Sequence, residues 1–281
     1  MNPPSIYKTP EGKRKIQAEY EAFLSHWPVP YQTNIIKTRH GETFLIQSGP
    51  ETAPPLFLIH GACSNSSMWA GEISTLSKNF CVYAIDIPGE PGRSAEKRLA
   101  WENNDFSDWM KDIVNELGYS SINLVGISLG GWISLKFTTV HPQHVDKLVL
   151  LAPGGISPVK TSFMLRGILL SFLGRWGATK VNQITFGSQQ IHPEAVRYMD
   201  IIMTKFKPRI SVQPIFSNAD LQKLSMPVLL ILGQMDALMP SKRIAARLKS
   251  QVSHCEVKFF PDLGPVLIGT GSTILSFLNP D

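Results

Sequence analysis

The chain has 281 residues, of which 43% are hydrophobic and 17% charged, at a mean hydropathy of zero. That is the composition of a packed globule of one large or two small domains, and it excludes disordered, collagen-like and coiled-coil readings. The formal net charge of +5 includes no Lys/Arg run and is a poor argument for nucleic acid, but residues 147–193 carry Lys147, Lys160, Arg166, Arg175 and Lys180 with no acid among them.

In chain order, the start MNPPSIYKTPEGKRK has no apolar core and does not read as a signal peptide. NIIKTRHGETFLIQSG predicts a hairpin turning at His40–Gly41, which adds two strands at one sheet edge. PLFLIHG (55–61), FCVYAIDIPG (80–89), INLVGIS (122–128), KLVLLAPGG (147–155), PVLLILG (227–233) and VKFFPD (257–262) are continuous apolar runs, the pattern of parallel strands covered on both faces. Between them, DFSDWMKDIVNELG places Phe106, Trp109, Met110, Ile113, Val114 and Leu117 at helical spacing, with Asp105 as N-cap and Gly118 at the C-terminal end. Strand and helix alternating in this way predict an α/β fold with a doubly wound, mostly parallel, eight-stranded sheet.

The interval 155–222 interrupts the rhythm. It holds helical patterns (SFMLRGILLSFLGRW, PEAVRYMDIIMTKF) and no strand, so a helical cap inserted between core segments 1–154 and 223–281 is expected. Its longest apolar run, FMLRGILLSFL, falls short of the ~20 residues that span a bilayer, so no stable membrane insertion is expected. Cys63, Cys81 and Cys255 are odd in number and lack CxxC spacing, which offers neither a disulfide framework nor a zinc site and suits a reducing, cytoplasmic setting.

INLVGISLGGW reads as a strand from Ile122 to Val125, a G-x-S-x-G turn, and a helix from Gly131 to about Val140. The glycines permit a sharp turn that lifts the Ser128 hydroxyl above the sheet, where it can act as a nucleophile; the bland alternative is a Gly-rich strand–helix turn. The backbone N–H of Leu129 would face the same space, and LFLIHGACSNSSMW can supply a second donor from Ala62 or its neighbour Cys63, completing an oxyanion hole. His60, beside Gly61, reads as a loop brace. Asp236 follows the strand PVLLILG, where sites collect in open α/β sheets, with a turn or cap residue as the alternative.

The stretches HWPVP, KTRHGETFLIQSGPETAPPL, IHGACSNSSMW, DIPGEPGRS, VGISLGGW and LLILGQMD resemble the α/β-hydrolases and, from about residue 20 onward, the bacterial carboxylesterases of the naproxen-esterase kind. The resemblance implies hydrolysis of carboxylic esters through an acyl-enzyme on Ser128, with no cofactor and no metal, and with Asp236 orienting a histidine. That histidine belongs in a Gly-His pair after the last strand, and here Pro265 follows Gly264. Proline cannot take a proton. His254 lies before the last strand, His141 and His144 at the far end of the helix that starts at Ser128, and His26 and His40 read as surface residues. His192 alone could swing over the site from the cap, with a helix-start role as its alternative.

Loss of the base costs on the order of 10⁶ in kcat in a serine-protease triad and leaves about 10³–10⁴ over water. The expected function is therefore a carboxylesterase-type serine hydrolase of weak or lost activity, with a non-catalytic small-molecule-binding protein as the alternative. Cys63, Met68 and Trp69 near the oxyanion loop, and Trp176, Phe186 and Met203 in the cap, are candidates for lining a pocket for a small apolar or aromatic ester. Ordinary core packing is their alternative. The basic cap window suits an acidic substrate group or weak contact with an anionic lipid surface.

Overall fold

The structure, a computed structural model, describes residues 5–160, 177, 192–236, 238–261, 264 and 269–279. Helix α1 (Pro10–Ser25) opens the described chain: Thr9 accepts from the Gly12 N–H as N-cap, and Pro10 occupies the first turn. Its buried stripe is Ile16, Tyr20 and Leu24, four residues apart. This helix has no counterpart in the elements expected from sequence.

The expected hairpin is present as β1 (Tyr31–Thr38) and β2 (Gly41–Ser48), antiparallel, with Gly41 at φ +113° just past the turn. Then follow β3 (Pro55–Ile59), β4 (Cys81–Ile85), β5 (Ile122–Ile127), β6 (Val145–Leu151), β7 (Val228–Gly233) and β8 (Cys255–Phe260). They form one eight-stranded sheet in the order β1-β2-β4-β3-β5-β6-β7-β8, parallel from β4 to β8. From β3 the chain runs to β4 on one side, and from β5 to β6 on the other. The loops leaving β3 and β5 therefore diverge, and the crevice at their C-terminal ends is the switch point where doubly wound sheets bind ligands.

The other described α-helices are α2 (Ala70–Leu76), α3 (Asp105–Glu116), α4 (Leu129–Val140), α5 (Pro193–Lys205), α6 (Asn218–Leu221), α7 (Ser241–Gln251) and α8 (Gly271–Leu278). In α3 the N-cap is Asn104, not Asp105; Asp105 is already helical, and its carboxylate accepts from the Ala100 N–H at 3.3 Å. At the other end Gly118 adopts φ +76°, and the N–H groups of Gly118 and Tyr119 close onto the carbonyls of Asn115 and Val114. Helix α4 starts at Leu129, two residues earlier than expected. Residues 161–176 and 178–191 of the expected cap interval lie outside the described residues; of its described helices, α5 packs against α1.

The core is continuous from α1 to α8. Replacing Ile16, fully buried in α1, by Ala should cost about 2–5 kcal/mol in urea unfolding. A cost under about 1 kcal/mol would mean that α1 is not part of the cooperative unit.

Candidate active site

Ser128 sits between β5 and α4 at φ +53° and ψ −107°, a conformation that non-glycine residues rarely adopt. Its own backbone holds it there: the N–H donates to the Leu151 carbonyl at 2.9 Å, and its carbonyl accepts from Trp132 and Gly154, each at 3.0 Å. The flanking glycines are required by contact. A Cβ on Gly126 would lie 2.4 Å from the Gly130 carbonyl oxygen, and one on Gly130 would lie 2.1 Å from the Ile59 carbonyl oxygen. Ser128 is half-buried, and Leu129 opens α4, so the Leu129 N–H has no acceptor within the helix.

The loop after β3 approaches from the other side of the crevice. A Cβ on Gly61 would lie 3.8 Å from that of Ser128. Of the two oxyanion candidates on this loop, Cys63 is already engaged: at φ +53°, its N–H donates to Glu90 Oε2 at 2.7 Å. Ala62, exposed, remains as the candidate donor. Met68 turns back under the loop, its sulfur accepting from the Gly61 N–H at 3.4 Å. Trp69 is core, 2% exposed, and its indole N–H has no partner among the described residues. The thiol of Cys63 is pushed up by burial and by the charge of Glu90.

His60 braces the loop. Its Nε2 accepts from the Ile87 N–H at 2.9 Å, so the proton is on Nδ1, which donates to the Gly61 carbonyl at 2.8 Å; burial lowers its pKa. Two further acids shape the region and were not found from sequence. Asp86, fully buried at the end of β4, accepts from Tyr20 Oη and the Ser66 N–H through Oδ1, and from the Arg93 N–H through Oδ2. Glu90, buried in the following loop, is pushed up to about 7 by burial, against the Cys63 N–H and the charges of Arg98 and Arg209, which pull it down. The available signal was two acids within the Gly/Pro-rich stretch DIPGEPGRS.

Asp236 lies in the turn after β7, 1% exposed. Its Oδ1 accepts from the N–H groups of Leu238 and Met239, both at 2.7 Å, while its Oδ2 is buried with no partner among the described residues. Burial raises its pKa, opposed by those two N–H groups and by Lys160. Lys160, expected in a basic lid, donates through Nζ to the Asp236 carbonyl at 2.5 Å and through its N–H to that of Leu238. Lys147, the first base of the acid-free window, donates to the Phe277 and Leu278 carbonyls at the end of α8.

All seven histidines fall among the described residues, and none bonds to Asp236. His26 contacts the Ala22 carbonyl, His144 lies between Lys111 and the Ser120 carbonyl, and His254 contacts the Met226 carbonyl ahead of β7. His141 caps the far end of α4. His40, expected at the surface, is buried, with neither ring nitrogen partnered among the described residues. His192 is an exposed helix-start residue, 3.9 Å from Glu194. Met203 is half-buried in α5, its carbonyl accepting from Lys8, and nothing places it in a pocket. Pro265, Trp176, Phe186, Arg166, Arg175 and Lys180 lie outside the described residues. Among the described residues no group of three His, Cys, Asp or Glu could hold a metal, and no helix is long and apolar enough to cross a membrane.

Glu90 yields a pH-dependent prediction. The native state keeps its proton up to about 7, whereas the unfolded chain releases it near the ordinary value of 4.5. Between those values the native state binds more protons, so the contribution is complete at low pH and is lost as pH rises through the folded value. Glu90→Gln retains an acceptor for Cys63 and removes this loss. The variant should be more stable than the parent at about pH 8, by up to about 3 kcal/mol in urea unfolding, with the difference shrinking toward about pH 4. A difference independent of pH would show that Glu90 does not titrate with folding.

Residues 54–183 match the family model described as alpha/beta hydrolase fold. Carboxylesterase YbfK of Bacillus subtilis (strain 168) is 29% identical, over 91% of this chain and 88% of its own length. Its crystal structure, as carboxylesterase CesB (YbfK), superposes with a TM-score of 0.87 at 27% identity, covering 96% of this chain and 99% of that one. Naproxen esterase (carboxylesterase NP) from the same organism superposes with a TM-score of 0.88 at 27% identity, covering 97% and 100%. With its eight-stranded, mostly parallel sheet and a strained serine at the end of β5, the chain has the α/β-hydrolase fold and is similar over nearly its whole length to the Bacillus carboxylesterases of the naproxen-esterase kind.

Proposed function

We propose that this chain is a carboxylic-ester hydrolase of the serine type whose turnover is slow or lost because its triad lacks the base. In this reading Ser128 Oγ attacks the ester carbonyl, and the N–H groups of Leu129 and Ala62 stabilise the oxyanion that develops. Asp236 is placed to orient a histidine that the chain does not carry, since Pro265 stands where it belongs. The observation that supports this most directly is the buried Oδ2 of Asp236, without a partner among the described residues, with all seven histidines bonded or placed elsewhere. The serine proton then has no acceptor, and neither does the proton of the water that must release the acyl group. The relatives' names, carboxylesterase and naproxen esterase, favour an ester with a small apolar or aromatic acyl group. The reaction calls for no cofactor. The same missing base favours a second reading, in which the scaffold binds such ligands without turning them over.

The test is Pro265→His assayed with p-nitrophenyl butyrate. Restoring a base should recover a part of the on-the-order-of 10⁶ loss, so kcat/KM should rise at least about 100-fold, and Ser128→Ala in that background should abolish the gain. A variant no faster than the parent would overturn the assignment of position 265. Turnover by the parent that disappears with Ser128→Ala identifies a slow hydrolase, and parent activity equal to that of Ser128→Ala identifies the binding role.

A further inference from the structure

The sheet ends at β8, which has no neighbour on its outer side among the described residues. Strands β4 to β7 are buried almost throughout, whereas β8 exposes Glu256, Lys258 and Phe259, the last 39% exposed. The Phe260 carbonyl accepts from the Gln234 N–H on the β7 side. Backbone groups of successive strand residues point to opposite sides, so Glu256, Lys258 and Phe260 bond inward, and Val257 and Phe259 present theirs outward. An open edge that carries a large exposed aromatic is a template for another strand.

The charges say which strand. Glu256 and Lys258 lie on one face of β8, two residues apart, and neither has an ion-pair partner among the described residues. We infer that β8 pairs antiparallel with β8 of a second copy of this chain, about a two-fold axis at Val257. In that register Glu256 of each copy faces Lys258 of the other. Both are non-hydrogen-bonded positions, where Cα atoms approach to about 4.5 Å and side chains lie closest. Val257 meets Val257 through two backbone hydrogen bonds, using the groups that point outward. An axis at Glu256 or at Lys258 would set like charges face to face, and so would in-register parallel pairing. Among axes at Glu256, Val257 and Lys258 the charge pattern therefore selects Val257, and that arrangement is isologous and closed.

A short ladder buries less than the ~1,600 Å² of a standard interface. Beside β8, a groove of about 690 Å³ runs to α8 and is lined by Glu256, Lys258, Phe260, Ser276 and Phe277, which gives the second copy further surface. The opposite sheet edge offers no such match: β1 exposes Ile35 at 62%, but its only charged residue is Lys37.

Analytical ultracentrifugation of the full chain and three charge variants tests this pairing. The parent should be a dimer. Lys258→Glu sets carboxylates opposite one another at both symmetric positions, and Glu256→Lys does the same with ammonium groups; each should weaken the dimer about 10-fold or more. The double exchange, Glu256→Lys with Lys258→Glu, should restore it to within about threefold of the parent. Unchanged far-UV circular dichroism shows that each variant folds. A monomeric parent, or a double exchange as weak as the single variants, would overturn the pairing.

Discussion

The contact on which the rest depends is the approach of α4 to β3. A methyl group at Gly130 would sit 2.1 Å from the Ile59 carbonyl oxygen, and one at Gly131 would sit 2.8 Å from the Pro153 side chain, so the helix reaches the sheet only because both positions lack a Cβ. The turn that leads into this close approach holds Ser128 at φ +53°, a conformation that costs about 1–3 kcal/mol. Three backbone hydrogen bonds, two of them to residues at or just beyond the end of β6, offset the strain. The serine is thus tied to β5 by the chain, to β6 by hydrogen bonds and to β3 by contact. Its position follows from the centre of the sheet, not from a loop.

The loop that faces Ser128 is held by acids. Asp86 gathers three donors: a tyrosine from α1, the Ser66 N–H from the loop itself, and the Arg93 N–H from the segment after β4. Asn65 bonds to the Pro91 carbonyl and to Tyr198 Oη of α5. Helix α1, helix α5 and the loop after β3 therefore share one buried polar network. Glu90 contributes differently, since a single backbone donor, Cys63, meets its carboxylate. A buried carboxylate with so few donors is poorly compensated, which accounts for the upward displacement of Glu90.

The strands were legible because a strand buried on both faces leaves a continuous apolar run, and Ser128 and Asp236 were legible because each follows such a run directly. Helix α1 was not. Its buried stripe of Ile16, Tyr20 and Leu24 is thin, and the EGKRK ahead of it masks the period. The start of α4 was misjudged because Gly130 and Gly131 read as turn residues, when steric contact places them inside the helix. Glu90, and the bonding role of Lys160, escaped notice for another reason. Their partners are backbone groups of Cys63, Asp236 and Leu238, far away in the chain, and main-chain atoms leave no mark in a sequence.

The burial of Asp236 needs a physical reason, because a buried carboxylate is expensive unless its oxygens are bonded. In Asp236 the two oxygens have separate duties. Oδ1 binds the N–H groups of Leu238 and Met239 and so shapes the turn after β7, and the residue's carbonyl anchors Lys160. Those bonds owe nothing to proton transfer, and they hold whether or not a histidine is present. The turn-residue reading and the triad reading of Asp236 are therefore compatible, each resting on a different oxygen. Replacing Asp236 would cost the turn its two charge-assisted bonds, whereas Oδ2 has no bond among the described residues to lose. The structural duty of Oδ1 is sufficient to keep the carboxylate, and in the proposed reading Oδ2 is the oxygen that a histidine would have used.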